Sequence, residues 1–144
     1  MNSIRPTMIV ADDHPILQQA IARGVGRRAG FDVVACVDDL ESAIEACGIH
    51  QPDVLLLDIE MPGGSPFDAV DRVREVAPGC RVVIFTAHSS SDFVELARSK
   101  NPEGYLLKDD APEVLVEALR ELMRTGRAYS ERVREGMTAG AGLD

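Results

Sequence analysis

Short apolar segments alternate with longer amphipathic segments along most of the chain. Five of the short segments are apolar almost throughout, which is typical of strands buried on both faces of a parallel sheet. They lie at residues 7–11, 32–37, 53–58, 81–86 and 104–107. Because they alternate with helical patterns and crossovers are right-handed, the sequence predicts a doubly wound α/β domain with a parallel sheet.

Proline, glycine and acidic residues mark the predicted helices. The first is expected from Pro15 to Gly30, since Pro suits a first turn and Gly suits a stop. Asp38, with Glu41 three residues later, has the form of a capping box for a second helix. The other helices are predicted at about 65–77, at about 90–100 and from 110 onwards.

The character of the chain changes at Gly126. Residues 126–135 are polar and could form a short helix, and residues 137–144 are small and rich in Gly. Such a composition is typical of a flexible segment. We therefore expect one domain over residues 1–125, followed by a linker or flexible tail over residues 126–144.

Composition limits the classes of partner. The net charge of -9 disfavours direct contact with nucleic-acid phosphates and favours cations or a basic protein surface. The three cysteines are odd in number and lack CxxC spacing, which argues against a disulfide framework or a zinc site. No apolar run approaches the ~20 residues that span a bilayer, so we expect a soluble, cytoplasmic protein without a membrane partner.

Polar residues follow four of the predicted strands and meet at one edge of the sheet. They are Asp12, Asp13, Asp58, Thr86 and Lys108. In an open α/β sheet, ligands bind outside the carboxyl ends of the strands. Three carboxylates at one place repel each other, and either protonation or a divalent cation relieves this repulsion. A few carboxylates with room for water and phosphate favour Mg²⁺.

Asp58 is the candidate nucleophile, because it lies at the exposed tip after a buried strand and a carboxylate can form an aspartyl phosphate. Lys108 would supply a cation and Thr86 a hydroxyl to the phosphoryl oxygens. Each residue has an ordinary alternative. Asp12 and Asp13 could cap a helix, Asp58 could occupy a turn, Thr86 could merely end a strand, and Lys108 could be a surface charge. Because these residues occur in order after separate strands, we favour one shared site over the ordinary interpretation of each residue.

Four segments resemble the receiver domains of bacterial two-component response regulators. They read Ile-Val-Ala-Asp-Asp-His-Pro at 9–15, Leu-Leu-Leu-Asp-Ile-Glu-Met-Pro at 55–62, Val-Ile-Phe-Thr-Ala at 83–87 and Gly-Tyr-Leu-Leu-Lys-Asp at 104–109. The resemblance covers roughly residues 6–125. It implies a flavodoxin-like (βα)5 domain whose five strands have the order 2-1-3-4-5.

The resemblance also implies roles for the acidic residues. Asp58 matches the phosphoacceptor. Asp13, Asp58 and the backbone carbonyl of Glu60 match the ligands of Mg²⁺, and Asp12 matches a further acid that acts through water. The implied donor of the phosphoryl group is a sensor histidine kinase.

Further positions match the parts that read out phosphorylation. Thr86 and Lys108 match the pair that contacts the phosphoryl group. Tyr105 matches a switch aromatic that reorients when Thr86 moves, although a half-buried strand aromatic is an equally good interpretation. Glu60 and His88 occupy positions that resemble those tuning dephosphorylation, although a His on a loop is more often a plain surface residue.

The segment Ala-Asp-Asp-His-Pro at residues 11–15 is most similar to the NarL/FixJ subfamily, whose members carry a LuxR-type helix-turn-helix after the receiver. The residues after Thr125 are too few for that module. The implied function is a switch that controls dimerisation and output, in particular transcription through a DNA-binding domain absent from this chain. The alternative is a stand-alone receiver that acts by protein–protein interaction or phosphorelay.

An enzyme is the less favoured class. Phosphatases of the haloacid-dehalogenase type also use Asp, Thr, Lys and Mg²⁺, but they place a second Asp two residues after the nucleophile, where this chain has Glu60. We therefore expect a signalling domain with at most slow self-dephosphorylation.

Overall fold

The computed structural model describes residues 5–87, 95, 98–131 and 133–135. Their centre is a parallel sheet of six strands with the order β2-β1-β3-β4-β5-β6. The strands are β1 (Thr7–Ala11), β2 (Asp32–Val37), β3 (Val54–Leu57), β4 (Arg81–Thr86), β5 (Gly104–Leu107) and β6 (Ala128–Tyr129). The predicted α/β class and the flavodoxin-like order 2-1-3-4-5 are confirmed for the first five strands.

The helices of the described residues flank this sheet. Helix α1 begins as α-helix at Pro15–Ala20, passes through a π-helical turn at Ile21–Val25 and ends at Gly26–Arg28; the others are α2 (Leu40–His50), α3 (Pro66–Val76) and α4 (Pro112–Thr125). The helix predicted at about 90–100 lies mostly outside the described residues, of which 95 and 98–100 are helical. None of the helices in the described part of the chain combines the length and apolar character needed to cross a membrane.

Alternate residues of each strand build two separate cores, one on each face of the sheet. Ile9, Leu55 and Ile84 face helices α2 and α3. Their neighbours Val10 and Leu56 face helices α1 and α4. Because both faces are covered, the central strands are apolar almost throughout, and this is the pattern from which the sequence predicts them.

The cap of α2 corrects one prediction. Asp39, and not Asp38, precedes the first helical residue, and its carboxylate accepts hydrogen bonds from the Ser42 N–H at 2.7 Å and the Ser42 hydroxyl at 3.0 Å. Leu40 is buried in the core, and its N–H donates to the Pro62 carbonyl at 2.9 Å. The burial of Leu40 therefore selects the second of two adjacent aspartates as the cap.

The sixth strand lies where the sequence predicts a linker or flexible tail. Strand β6 pairs with β5 in parallel, and Val133 is completely buried in the core that faces α2 and α3. The described residues of 126–135 are therefore part of the folded unit, which extends beyond the predicted boundary at Thr125. A two-residue strand is too short to leave a periodic pattern in the sequence.

Candidate functional site

The carboxyl ends of β1, β3, β4 and β5 bring four polar residues together. Asp12 and Asp58 follow β1 and β3, Thr86 ends β4, and Lys108 follows β5. The strand pairing continues into these residues, because the Asp58 N–H donates to the Ala11 carbonyl at 2.9 Å and the Lys108 N–H donates to the Thr86 carbonyl at 2.8 Å. The sheet itself therefore fixes where these side chains begin.

Lys108 bridges the two buried acids. Its Nζ lies 2.7 Å from Asp12 Oδ2 and 2.8 Å from Asp58 Oδ2, and both carboxylates are almost fully buried. Burial opposes the charge of Lys108, but the hydrogen bonds and attraction from Asp12 and Asp58 outweigh it, so the pKa of Lys108 is raised. The ammonium group thus stays charged and offsets part of the negative charge of the site.

Asp13 and His14 complete an acidic cluster at the mouth of the site. The side chain of Asp13 is 38% exposed, and His14 Nδ1 lies 3.1 Å from its Oδ1 and 2.9 Å from Asp12 Oδ1. Asp12 Oδ1 also accepts a hydrogen bond from the His14 N–H at 2.9 Å. Asp12, Asp13, His14 and Asp58 each place one ligand atom within 4.8 Å of the others.

Glu60 connects Asp58 to Thr86. Its backbone N–H donates to Asp58 Oδ1 at 2.9 Å, and the Thr86 hydroxyl donates to its Oε1 at 3.3 Å. Glu60 is therefore within reach of both the candidate acceptor and the candidate switch hydroxyl. In this arrangement the carboxylate of Glu60, and not that of Asp58, receives the hydrogen bond from Thr86.

An open cavity of about 660 Å³ gives access to these groups. Asp13, Asp58, Glu60 and Lys108 line its polar side, and its other side is lined by Ile16, Leu17 and Ala20 of α1 together with His14 and Ala87. A carboxylate in such a cavity can be reached by a reactant while its neighbours remain buried.

Tyr105 lies behind the site and is completely buried. It pairs with Ile84, two residues before Thr86, so the side chains of Thr86 and Tyr105 project from the same face of adjacent strands. Among the described residues its hydroxyl has no hydrogen-bond partner. Burial, followed by the nearby Glu60 carboxylate, raises the pKa of Tyr105.

Most of the residues singled out from the sequence therefore meet at one edge of the sheet. The cavity is lined by Asp13, Asp58, Glu60 and Lys108. Asp12 contacts Lys108, and Thr86 is hydrogen-bonded to Glu60. His88 lies outside the described residues. Sequence reasoning missed His14 and the apolar wall of α1; the signal for His14 was its position directly after the two aspartates.

The chemistry of the cluster fits a hard divalent cation. The carboxylates of Asp12, Asp13 and Asp58 converge at this cluster. Lys108 pairs with Asp12 and Asp58, and His14 adds one imidazole nitrogen. Oxygen donors of this kind, few in number and open to solvent on one side, are those that Mg²⁺ uses in proteins.

Comparison with known proteins agrees with the geometry. The profile of the response regulator receiver domain matches residues 8–120. The chain is 34% identical over 128 residues to the nitrate/nitrite response regulator protein NarP of Escherichia coli K12, covering 89% of this chain and 60% of NarP. It is 31% identical over 133 residues to NarL of the same organism, covering 92% of this chain and 62% of NarL. The chain thus spans less than two thirds of these regulators.

A solved structure shows the same fold along its whole length. The crystal structure of a two-component response regulator of the LuxR family from Aurantimonas sp. SI85-9A1 superposes with a TM-score of 0.84 at 28% identity, covering 96% of this chain and 99% of that chain. With most of its length matched by the family profile and its polar strand ends gathered at one site, this chain belongs to the response regulator receiver domain family.

Proposed function

We propose that Asp58 accepts a phosphoryl group from a phosphohistidine of a sensor kinase. The observation that carries this proposal is the position of Lys108, whose Nζ lies 2.8 Å from Asp58 Oδ2 beside an open cavity. A phosphoryl group on that carboxylate would replace one buried negative charge by a larger one, directly beside a fixed cation. Charge-assisted hydrogen bonds of this kind are among the strongest that proteins form.

The chemical step is a transfer between two groups. A carboxylate oxygen of Asp58 attacks phosphorus, the phosphorus–nitrogen bond breaks, and the imidazole of the kinase leaves with the electron pair. Lys108 and the Thr86 hydroxyl then hydrogen-bond to the phosphoryl oxygens. The chain contributes position and charge, as is usual in phosphoryl transfer. We assign it no enzymatic role beyond slow self-dephosphorylation.

Mg²⁺ is the cofactor that fits the acidic cluster. Asp13, Asp58 and the backbone carbonyl of Glu60 would hold it, with Asp12 acting through water. When bound, Mg²⁺ would neutralise the carboxylates and the incoming phosphoryl oxygens. Without it, the charge of Asp12 and Asp58 is balanced chiefly by Lys108.

The readout begins at Thr86. We assign its hydroxyl to the phosphoryl group after transfer, so that it leaves Glu60, to which it donates at 3.3 Å. Tyr105 lies on the same face of the adjacent strand, completely buried, and would respond to this movement. A local change of this kind can bias a larger two-state element.

The output that we propose for the switch is based on the relatives of this chain. NarP and NarL are nitrate/nitrite response regulators, and this chain covers 60% and 62% of their lengths. We assign residues 1–125 to the receiver, and residues 126–144, whose described part packs against the receiver, to the connection with a DNA-binding domain in the cytoplasm. Phosphorylation would favour a homodimer and so control transcription, and contact with DNA would be made only by that domain.

Intact-mass spectrometry tests the proposal. The chain is incubated with acetyl phosphate in the presence and absence of Mg²⁺, beside an Asp58→Asn variant. We expect a Mg²⁺-dependent gain of one phosphoryl group that the variant lacks. A gain that survives in Asp58→Asn, or a chain that gains nothing, would remove Asp58 from this role.

A further inference from the structure

The residues 126–131 and 133–135, here called the C-terminal strap, lie on the outer edge of β5. The Ala128 N–H donates to the Glu103 carbonyl at 3.0 Å, and the Ser130 N–H donates to the Tyr105 carbonyl at 2.8 Å. The strap is therefore bonded directly to the backbone of the proposed switch aromatic.

Side chains of the strap also rest on Tyr105. The Tyr129 ring lies 6.4 Å from the Tyr105 ring at an angle of 41°, and the Tyr129 hydroxyl donates to the Pro102 carbonyl at 2.7 Å. The Arg127 guanidinium lies 5.3 Å from the centre of the Tyr129 ring. Val133 is buried in the same core as Tyr105. A displacement of the Tyr105 ring would therefore disturb the surface on which the strap packs.

Gly104 permits this close approach. A Cβ atom at this position would lie 2.8 Å from the Ala128 carbonyl oxygen and 3.1 Å from the side chain of Val83. The first distance is shorter than real Cβ contacts allow. The strap can pair with β5 at its present distance because residue 104 has no side chain.

Thr86 and Tyr105 share one face of adjacent strands, so a movement of the Thr86 side chain acts on the packing around Tyr105. The Thr86 hydroxyl donates to Glu60 Oε1 at 3.3 Å. The buried Tyr105 hydroxyl has no hydrogen-bond partner in the described part of the chain, and this arrangement carries a desolvation penalty. If Thr86 turned to a phosphoryl group, the surroundings of the Tyr105 hydroxyl would change, and a partner gained there would remove that penalty.

We infer that the C-terminal strap is the output element of the switch, and that phosphorylation of Asp58 strengthens its closure through Tyr105. This inference rests on the proposed function. The phosphoryl group draws the Thr86 hydroxyl away from Glu60, the Tyr105 hydroxyl gains a partner, and its buried position becomes more stable. Because Tyr129 packs on that position and Val133 lies in the same core, the strap opens less often.

Hydrogen exchange of the full chain tests this inference. The exchange of the strap amides is measured by mass spectrometry before and after treatment with acetyl phosphate and Mg²⁺, and intact mass gives the phosphoryl occupancy. A coupling of ordinary size predicts that exchange slows by about fivefold or more. The same treatment of Asp58→Asn controls for the reagents and should leave exchange unchanged.

A pair of glycine variants tests the coupling from the other direction. Gly104→Ala should open the strap and accelerate its exchange, whereas Gly79→Ala, where a Cβ meets nothing within 4 Å, should not. Because coupling is reciprocal, Gly104→Ala should also weaken the binding of the phosphoryl mimic BeF₃⁻ with Mg²⁺ by about the same factor. Tyr129→Phe, which removes the hydrogen bond to Pro102 and leaves the ring in place, should act in the same direction to a smaller extent.

The two proposals fail in different ways. Full phosphorylation with unchanged or faster strap exchange would overturn the inference and leave the proposed function intact. Gly104→Ala and Tyr129→Phe chains that fold and bind BeF₃⁻ like the unmodified chain would do the same. A chain that gains no phosphoryl group would overturn the proposed function, and this inference with it.

Discussion

Lys108 is the cation on which the buried acids of the site depend. It contacts Asp12 and Asp58 at 2.7 and 2.8 Å, and its own side chain is only 13% exposed. Two carboxylates held in the interior without a cation are unfavourable, because each loses its hydration. The same residue thus serves the stability of the domain and, in the proposed function, the binding of a phosphoryl group.

Replacing Lys108 by Ala should lower the free energy of unfolding by about 3–5 kcal/mol, the usual effect of removing one partner from a buried ionic group. Urea unfolding at low Mg²⁺ measures it. Because the pKa of Lys108 is raised, this contribution is present below the ordinary value of 10.5 and is lost as pH rises through the folded-state pKa.

Lys100→Ala is the matched control. Lys100 Nζ also lies 2.7 Å from a carboxylate, that of Asp71, but this pair is partly exposed, so its loss should lower stability by about 1 kcal/mol or less. Equal losses in the two variants would contradict the role given to Lys108.

Tyr105→Phe should leave stability at neutral pH unchanged or raise it by about 1 kcal/mol, because it removes a buried hydroxyl without a partner. Since burial raises the pKa of Tyr105, the unfolded chain loses this proton first, near 10.0, and stability falls as pH rises beyond that value. Urea unfolding at pH 7 and above pH 10 should show a smaller alkaline loss in the variant. Tyr129→Phe, which loses a hydrogen bond to the Pro102 carbonyl, should instead be destabilised by about 1 kcal/mol at pH 7.

At the scale of elements, burial decides where each one begins and ends. The first five strands could be predicted from the sequence, because their apolar residues serve two cores and so show no interruption. The start of α2 was misplaced by one residue, since Asp38 and Asp39 both fit a cap and only the burial of Leu40 separates them. Strand β6 could not be predicted, because its pairing depends on the space left beside Gly104.

The corrected cap of α2 makes a prediction of its own. Asp39→Ala should lower the free energy of unfolding by about 1 kcal/mol, because the Ser42 N–H and hydroxyl lose their acceptor. Asp38→Ala changes the net charge by the same amount and should have little effect. Thermal or urea unfolding of the two variants decides between them, and a larger loss for Asp38→Ala would restore the position predicted from the sequence.

At the scale of the whole molecule, one edge of the sheet collects the functional groups. Asp12, Asp58 and Lys108 could be predicted as neighbours because the carboxyl ends of parallel strands meet at one edge. His14 was missed although it directly follows the two aspartates, because its contact with Asp12 and Asp13 depends on the turn that leads into α1. The apolar wall of α1 was also missed, since exposed and buried positions of a first helical turn look alike in sequence.

The acidic cluster predicts that Mg²⁺ stabilises the folded domain. A ligand that binds only the folded state adds about 2.7 kcal/mol when its concentration is 100 times its dissociation constant. Asp13→Asn should lose most of this Mg²⁺-dependent gain, measured by urea unfolding over a Mg²⁺ series. Asp32→Asn removes an acid at the exposed start of β2 and should retain it. Equal gains in the two variants would place the cation elsewhere.

Phosphorylation is assigned to one group, the carboxylate of Asp58. Borohydride reduces an acyl phosphate to an alcohol, so it converts a phosphorylated Asp into homoserine, which tandem mass spectrometry of peptides can locate. After treatment with acetyl phosphate and Mg²⁺, we predict homoserine at position 58 and unmodified aspartate at positions 12 and 13. Homoserine at position 12 or 13, or at no position in a phosphorylated chain, would contradict the assignment of Asp58 as the phosphoacceptor.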